Sequence, residues 1–149
     1  MTTSRRMFSI AAAGLLAVLA AVNVYAVTKM EVRKGGSVWA VVAGNGDLRI
    51  GGSVRGRFEA NGDVRVSGSV AGGITADGTI RKNGSIIGRI ESDGTLRKGG
   101  SLYGKVDGNG TIRRGGMVWG SVSTGCGEYA GKKAVAALLV FFAPDYWGG

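Results

Sequence analysis

Six arginines recur at a fixed spacing of 16 residues: Arg33, Arg49, Arg65, Arg81, Arg97 and Arg113. A guanidinium is a planar, permanently charged fork that pairs with phosphates and carboxylates, so a ring or ladder of them is polyanion chemistry. Six residues after three of these arginines come aromatic side chains, Trp39, Tyr103 and Trp119. Clustered, they could stack on sugar rings or receive an apolar segment of the chain itself. The candidate ligand-binding set is therefore Trp39, Tyr103 and Trp119 with Arg49, Arg65, Arg81, Arg97 and Arg113. The competing reading of the arginines is structural: each hydrogen-bonds the neighbouring turn and shields the sheet with its aliphatic stem.

Reactive chemistry is not indicated. The chain has no His and one Cys, Cys126, which leaves no disulfide framework, no CxxC and no zinc spacing. Within Gly125-Cys126-Gly127 the thiol reads as a small packing residue. No GxSxG, P-loop or paired-carboxylate motif occurs, and the Gly-rich strings lack the strand-to-helix context of a dinucleotide fingerprint. We expect no catalytic residue, no metal and no cofactor, and hence no enzyme. The net charge is +9, and removing residues 1–26 takes away Arg5 and Arg6 and leaves +7. Such an excess attracts acidic glycans, lipopolysaccharide phosphates or anionic lipid. Nucleic acid is not expected as a partner of a chain that reads as exported.

The side chains named above are positioned by a 16-residue unit that runs six times without a gap, starting at Met30, Gly46, Gly62, Gly78, Gly94 and Gly110 and ending at Gly125. A strict short period means identical supersecondary units, stacked or closed in a ring. Position three is always apolar (Val32, Leu48, Val64, Ile80, Leu96, Ile112), as are position nine (Val38, Val54, Val70, Ile86, Leu102, Val118) and position thirteen (Val42, Phe58, Ile74, Ile90, Val106, Val122). These residues are mostly β-branched and alternate with polar ones between Gly-rich turns, which is a strand signature.

Two turns per unit set the register. Lys82-Asn83-Gly84 is read as a three-residue loop with Gly84 left-handed, which pairs Ile80 with Ile86 and keeps positions three and nine on one face. The two-residue alternative pairs Lys82 with Ser85 and turns Ile86 away. At the second turn, Ser92-Asp93-Gly94, Gly94 is left-handed and Ile90 faces Leu96. The acidic residues at position two (Glu31, Asp47, Asp63) and at the turns (Asp77, Asp93) read as local capping and cross-strand pairing, for example Asp47 opposite Arg55. Position eleven is glycine in five units (Gly56, Gly72, Gly88, Gly104, Gly120) and Ala40 in the first, marking a bend or close backbone approach within a long strand. The expected fold is all-β: six β-hairpin repeats forming kinked three-stranded petals around an axis, with an N-terminal hydrophobic helix. Five petals are complete, and a sixth forms only if the strand through Val122 closes onto the strand at Val32. A β-solenoid with one coil per unit is the alternative.

The string Gly78-Thr79-Ile80-Arg81-Lys82-Asn83-Gly84-Ser85-Ile86-Ile87-Gly88-Arg89-Ile90-Glu91-Ser92-Asp93-Gly94 and the tail Ala136-Ala137-Leu138-Leu139-Val140-Phe141-Phe142 resemble the five-fold β-flower proteins of bacteria. The likeness covers roughly residues 30–142. It implies a petal-like all-β fold and carries over no catalytic or ligand-binding residue. The sixth unit and the non-consensus Met30, Ala40 and Met117 depart from it.

The ends are different. Ser4-Arg5-Arg6-Met7-Phe8 opens an uncharged run from Met7 to Ala26 that ends in Val24-Tyr25-Ala26, the three parts of a secretory signal. The twin arginine fits Tat as well as Sec export. The alternative is an uncleaved anchor, since 20 residues can just span a bilayer. The run from Ala134 to Ala143 is too short to span one. It reads as a strand or short helix plugging the petal ring, or else as a sticky tail for a partner or membrane surface with Tyr146 and Trp147 interfacial. The chain thus divides into a signal or anchor (1–26), a β-repeat domain (27–125) and an apolar tail packing on the repeats (126–149). The functional expectation is an exported, non-enzymatic structural or interaction protein of the bacterial cell envelope, in the periplasm or held by residues 7–26. Its alternatives are a binding module for anionic glycan or lipid head groups and a polymer-forming scaffold. Oligomers are compatible with all three.

Overall fold

The computed structural model describes residues 29–148. The signal or anchor and the expected N-terminal hydrophobic helix lie outside them. Twelve strands follow in order: β1 (Met30–Lys34), β2 (Ser37–Val42), β3 (Asp47–Ile50), β4 (Ser53–Phe58), β5 (Asp63–Val66), β6 (Ser69–Ile74), β7 (Thr79–Lys82), β8 (Ser85–Ile90), β9 (Thr95–Lys98), β10 (Ser101–Val106), β11 (Thr111–Arg114) and β12 (Met117–Val122). Two helices close the chain, α1 (Tyr129–Phe142) and α2 (Pro144–Trp147).

Every strand pairs antiparallel with its sequence neighbours, and β1 pairs with β12 through Val32 opposite Val122 and Arg33 opposite Ser121. The six units therefore close into one barrel. This corrects two expectations. A solenoid coil would stack parallel strands and leave its ends apart. The three-stranded petals, in turn, are not separate sheets, because the last three residues of each long strand pair on both sides: Gly88, Arg89 and Ile90 bond with β7 or its turn and with β9.

The first turn also differs from the three-residue reading. Lys82 lies opposite Ser85, and the two loop residues Asn83 and Gly84 both have positive φ, 52° and 83°. This is the mirror-image hairpin turn whose twist matches the strands. Ser67-Gly68 and four Gly-Gly pairs adopt the same geometry in the other units. Arg81 then faces Ile86, but Ile80 faces Gly88, so Ile87 is an extra, bulged residue. The bulge re-aims the strand. Positions eleven and thirteen join position three on the inner face, and position nine is left outside. The shorter loop and the bulge each move the cross-strand partner by one residue, which is why Asp47 lies opposite Arg57 and not Arg55. At the second turn Gly94 has φ 94° and Ile90 faces Leu96, the register read from the sequence.

A barrel of eight strands is just filled by its own side chains, so twelve leave room for a helix about 10 Å across. α1 occupies that room. Ala134 through Val140 are almost wholly buried, on all sides of the helix, as a fully enclosed helix must be. Its 14 residues make it about 21 Å long, close to the span of a six-residue strand. Position three, position thirteen and the helix form one hydrophobic cluster. Glycine at position eleven permits this closeness: a Cβ on Gly88 would lie 2.9 Å from the Trp147 ring, and one on Gly56 2.6 Å from Phe142 Cζ.

Candidate functional site

The barrel has two unlike ends. At the base lie the second turns, the entry of the chain at Lys29 and Met30, and the start of α1. At the crown the hairpin tips surround α2. Nine of the ten acidic side chains sit at the base, in the second turns, beside them, or at Glu128; only Asp145 is at the crown. All three tryptophans are at the crown.

The repeated arginines form a belt on the outer wall between the two ends. Arg97 donates to Glu91 at 3.1 Å, Arg113 to Asp107 at 3.0 Å, Arg65 pairs with Glu59, and Arg33 lies 3.6 Å from Glu31. Arg33 and Arg65 also donate to the carbonyls of Gly36 and Gly68 in their own turns. The partner acid, six residues before the arginine, is present in some units and replaced by Ala43 before Arg49 and Thr75 before Arg81. Arg49 and Arg81 have no ion pair among the described residues. The belt is thus neutralised on some faces and free on others. It holds all six arginines, but does not converge them on one point.

The aromatic candidates meet at the crown. Trp39 and Trp119 touch edge to face at 5.7 Å, across the β1–β12 closure. Tyr103 joins them through the tail: Tyr146 lies 5.3 Å from Trp119 and 5.9 Å from Tyr103, and Trp147 lies 5.0 Å from Tyr103. The Tyr103 hydroxyl donates to the Tyr146 carbonyl at 2.5 Å, and the Tyr146 hydroxyl to the Arg113 carbonyl at 2.6 Å. Burial pushes the Tyr146 hydroxyl well above its ordinary range. α2 therefore occupies the aromatic patch. Arg81 and Arg49 are not part of it.

Two features of the crown follow from the two-residue turn, the alternative that the sequence reading sets aside. One is an exposed apolar ring: Val38, Val54, Val70, Ile86, Leu102 and Val118 are 45 to 70 % exposed, with Met117 beside them. Each sits directly opposite a belt arginine, as Ile86 does Arg81. The other is the set of cations at position five, Lys34, Lys82, Lys98 and Arg114. Lys98 lies 5.0 Å above Tyr103 and 5.3 Å above Trp147, Lys34 5.0 Å above Trp119, and Arg114 5.3 Å above Tyr103. The pairs of glycine, Asn or Ser at the tips were the available clue, since only the two-residue turn needs two left-handed positions.

Cys126 is buried at the base, and its burial pushes the thiol up to about 11. It stays protonated at neutral pH and is a poor nucleophile. Among the described residues no group of His, Cys, Asp and Glu is arranged to hold a metal ion, and no helix is long and apolar enough to cross a membrane. Comparison with protein-family models, with curated proteins and with solved structures returned no match.

Proposed function

We propose that the chain is an exported, non-enzymatic interaction protein of the bacterial cell envelope, a self-plugged β-barrel that works through its outer surface. The observation that carries this reading is the occupied lumen. α1 fills the space where a barrel of this width would hold a ligand, so the residues left to contact a partner are outside. There the repeat keeps an exposed apolar residue opposite every belt arginine, an expenditure of apolar side chains that the core does not use. The secretory pattern in residues 1–26 supports export.

A second reading, binding of anionic glycan or lipid head groups, is favoured by the acid-poor crown. Polymerisation through sheet edges has no support in a closed barrel, which leaves no strand unpaired.

The test is fractionation of bacteria producing the full chain, followed with an antibody. The chain is expected in the envelope or periplasm, digestible by protease added to spheroplasts. Arg5→Lys with Arg6→Lys is expected to strand it inside if the twin arginine is the export signal. A protease-protected cytosolic pool of the unaltered chain would contradict the proposal.

A further inference from the structure

The charge of this molecule is segregated along the barrel axis, and the segregation identifies a docking face. Resting on the reading of the chain as an envelope interaction protein, we infer that the crown docks on an anionic phospholipid surface. Most of the base acids are already engaged. Glu59, Glu91 and Asp107 pair with belt arginines, and Asp77 and Asp93 accept hydrogen bonds inside their own turns. With those pairs and Glu31–Arg33 set aside, the five remaining base acids are offset by Lys29, Arg57, Arg89, Lys105, Lys132 and Lys133, and the positive excess falls mainly on the crown and on the unpaired belt arginines Arg49 and Arg81. Lys34, Arg55, Lys82, Lys98 and Arg114 stand there against one acid, Asp145, which pairs with Lys34.

The geometry suits a lipid surface in three ways. Tips made of Gly-Gly, Asn-Gly or Ser-Gly carry little side chain, so the backbone approaches head groups closely. Just behind each tip an apolar residue faces outward, at the depth where a shallowly immersed hairpin meets acyl chains. Directly across the strand pair, at the same distance from the tip, stands an arginine whose long side chain can reach back to the phosphates. Each cation near an anionic leaflet contributes on the order of a fivefold gain in binding. A second copy stacked head to tail fits less well. Most of its base acids are already paired or held in their turns, axial stacking leaves the outward apolar ring bare, and the net positive charge opposes it.

The chain enters the barrel at the base, where Lys29 is exposed and Met30 is buried under Gly125. The crown therefore points away from the end that follows residues 1–28. A full chain held by its N-terminal segment in one bilayer presents its crown to another, which gives a readout independent of that segment.

The full chain is reconstituted in phosphatidylcholine proteoliposomes and mixed with dye-labelled vesicles of phosphatidylcholine and phosphatidylglycerol. Co-sedimentation of the dye measures tethering. Capture of the anionic vesicles, lost with added salt and absent for pure phosphatidylcholine vesicles, is expected. Arg55→Gln, Arg81→Gln and Lys82→Gln together are expected to weaken capture on the order of a hundredfold. Ile86→Ser with Leu102→Ser keeps the charge and is expected to weaken capture at physiological salt, with unchanged urea midpoints in both variants. Equal capture of both vesicle types, or full capture by the charge variant, overturns the inference. So does salt-sensitive end-to-end association of the protein without vesicle capture, which would identify a second copy as the occupant. None of these outcomes depends on where the chain resides in the cell, so failure here leaves the export reading to its own test.

Discussion

Asp77 is held at one turn by three donors: the Thr75 hydroxyl, the Thr79 amide at 3.2 Å and the Thr79 hydroxyl at 3.0 Å. These hydrogen bonds favour its charged form and lower the carboxyl from 3.8 to about 2. A depressed carboxyl contributes stability that is present above its unfolded value, 3.8, and is lost as pH falls through about 2. Asn45, Asn61 and Asn109 hold the same position in other units, and each accepts the same amide bond without a charge. Asp77→Asn is therefore expected to match the parent in urea midpoint at neutral pH and to lose less stability between pH 3.8 and about 2. Identical acid profiles would contradict this account of the turn. At the same scale, Ile80→Ala is expected to cost about 2–5 kcal/mol because Ile80 faces the helix, while Ile86→Ala stays within about 0.5 kcal/mol. Equal losses would restore the three-residue turn, which places both on one face. Positions three and thirteen were legible as core because β-branched alternation and the second turn fix them. Position nine was not, because the two-residue turn that sends it outward leaves positions eleven and thirteen on the inner face only if a bulge follows at position ten, and without that bulge the three-residue turn is the one that uses the apolar pattern. No residue type marks that bulge: it carries Trp39, Arg55, Ala71, Ile87, Tyr103 and Trp119.

Among the elements, the lumen helix and the glycine row depend on each other. A Cβ on Gly88 would crowd the Arg97 carbonyl and sit 2.9–3.0 Å from two atoms of the Trp147 ring. Gly88→Ala is thus expected to destabilise the protein by about 1–3 kcal/mol and to shift the tryptophan emission, since all three indoles lie at that end. An unchanged spectrum with full stability would place the tail elsewhere. The row was visible in the sequence as a point of close approach, though what approaches was not. A ten-residue apolar run has no period that separates a buried strand from a helix enclosed on all sides. Pro144 does explain where α1 stops, because the residue before proline is driven out of the helical region.

At the scale of the whole molecule, the number of units and the width of the barrel settle one another. Six hairpins give a wall wide enough for one helix, and the chain supplies that helix immediately after the last strand. The repeat count was plain in the sequence, but ring closure was not, since Met30, Ala40 and Met117 depart from the consensus at the two ends that must meet. The axial segregation of charge, on which the docking inference rests, follows only from closure and turn placement together. The most direct test of this architecture is a cross-link over the seam, between Arg33 and Ser121, which face each other on the outer wall. In a Cys126→Ala background, Arg33→Cys with Ser121→Cys is expected to oxidise to an intramolecular disulfide as readily as the control Arg113→Cys with Lys105→Cys, the equivalent pair between β10 and β11. A seam pair that stays reduced or forms only dimers while the control closes would place the first and last units apart, about 24 Å in a stacked coil, and would contradict the closed barrel.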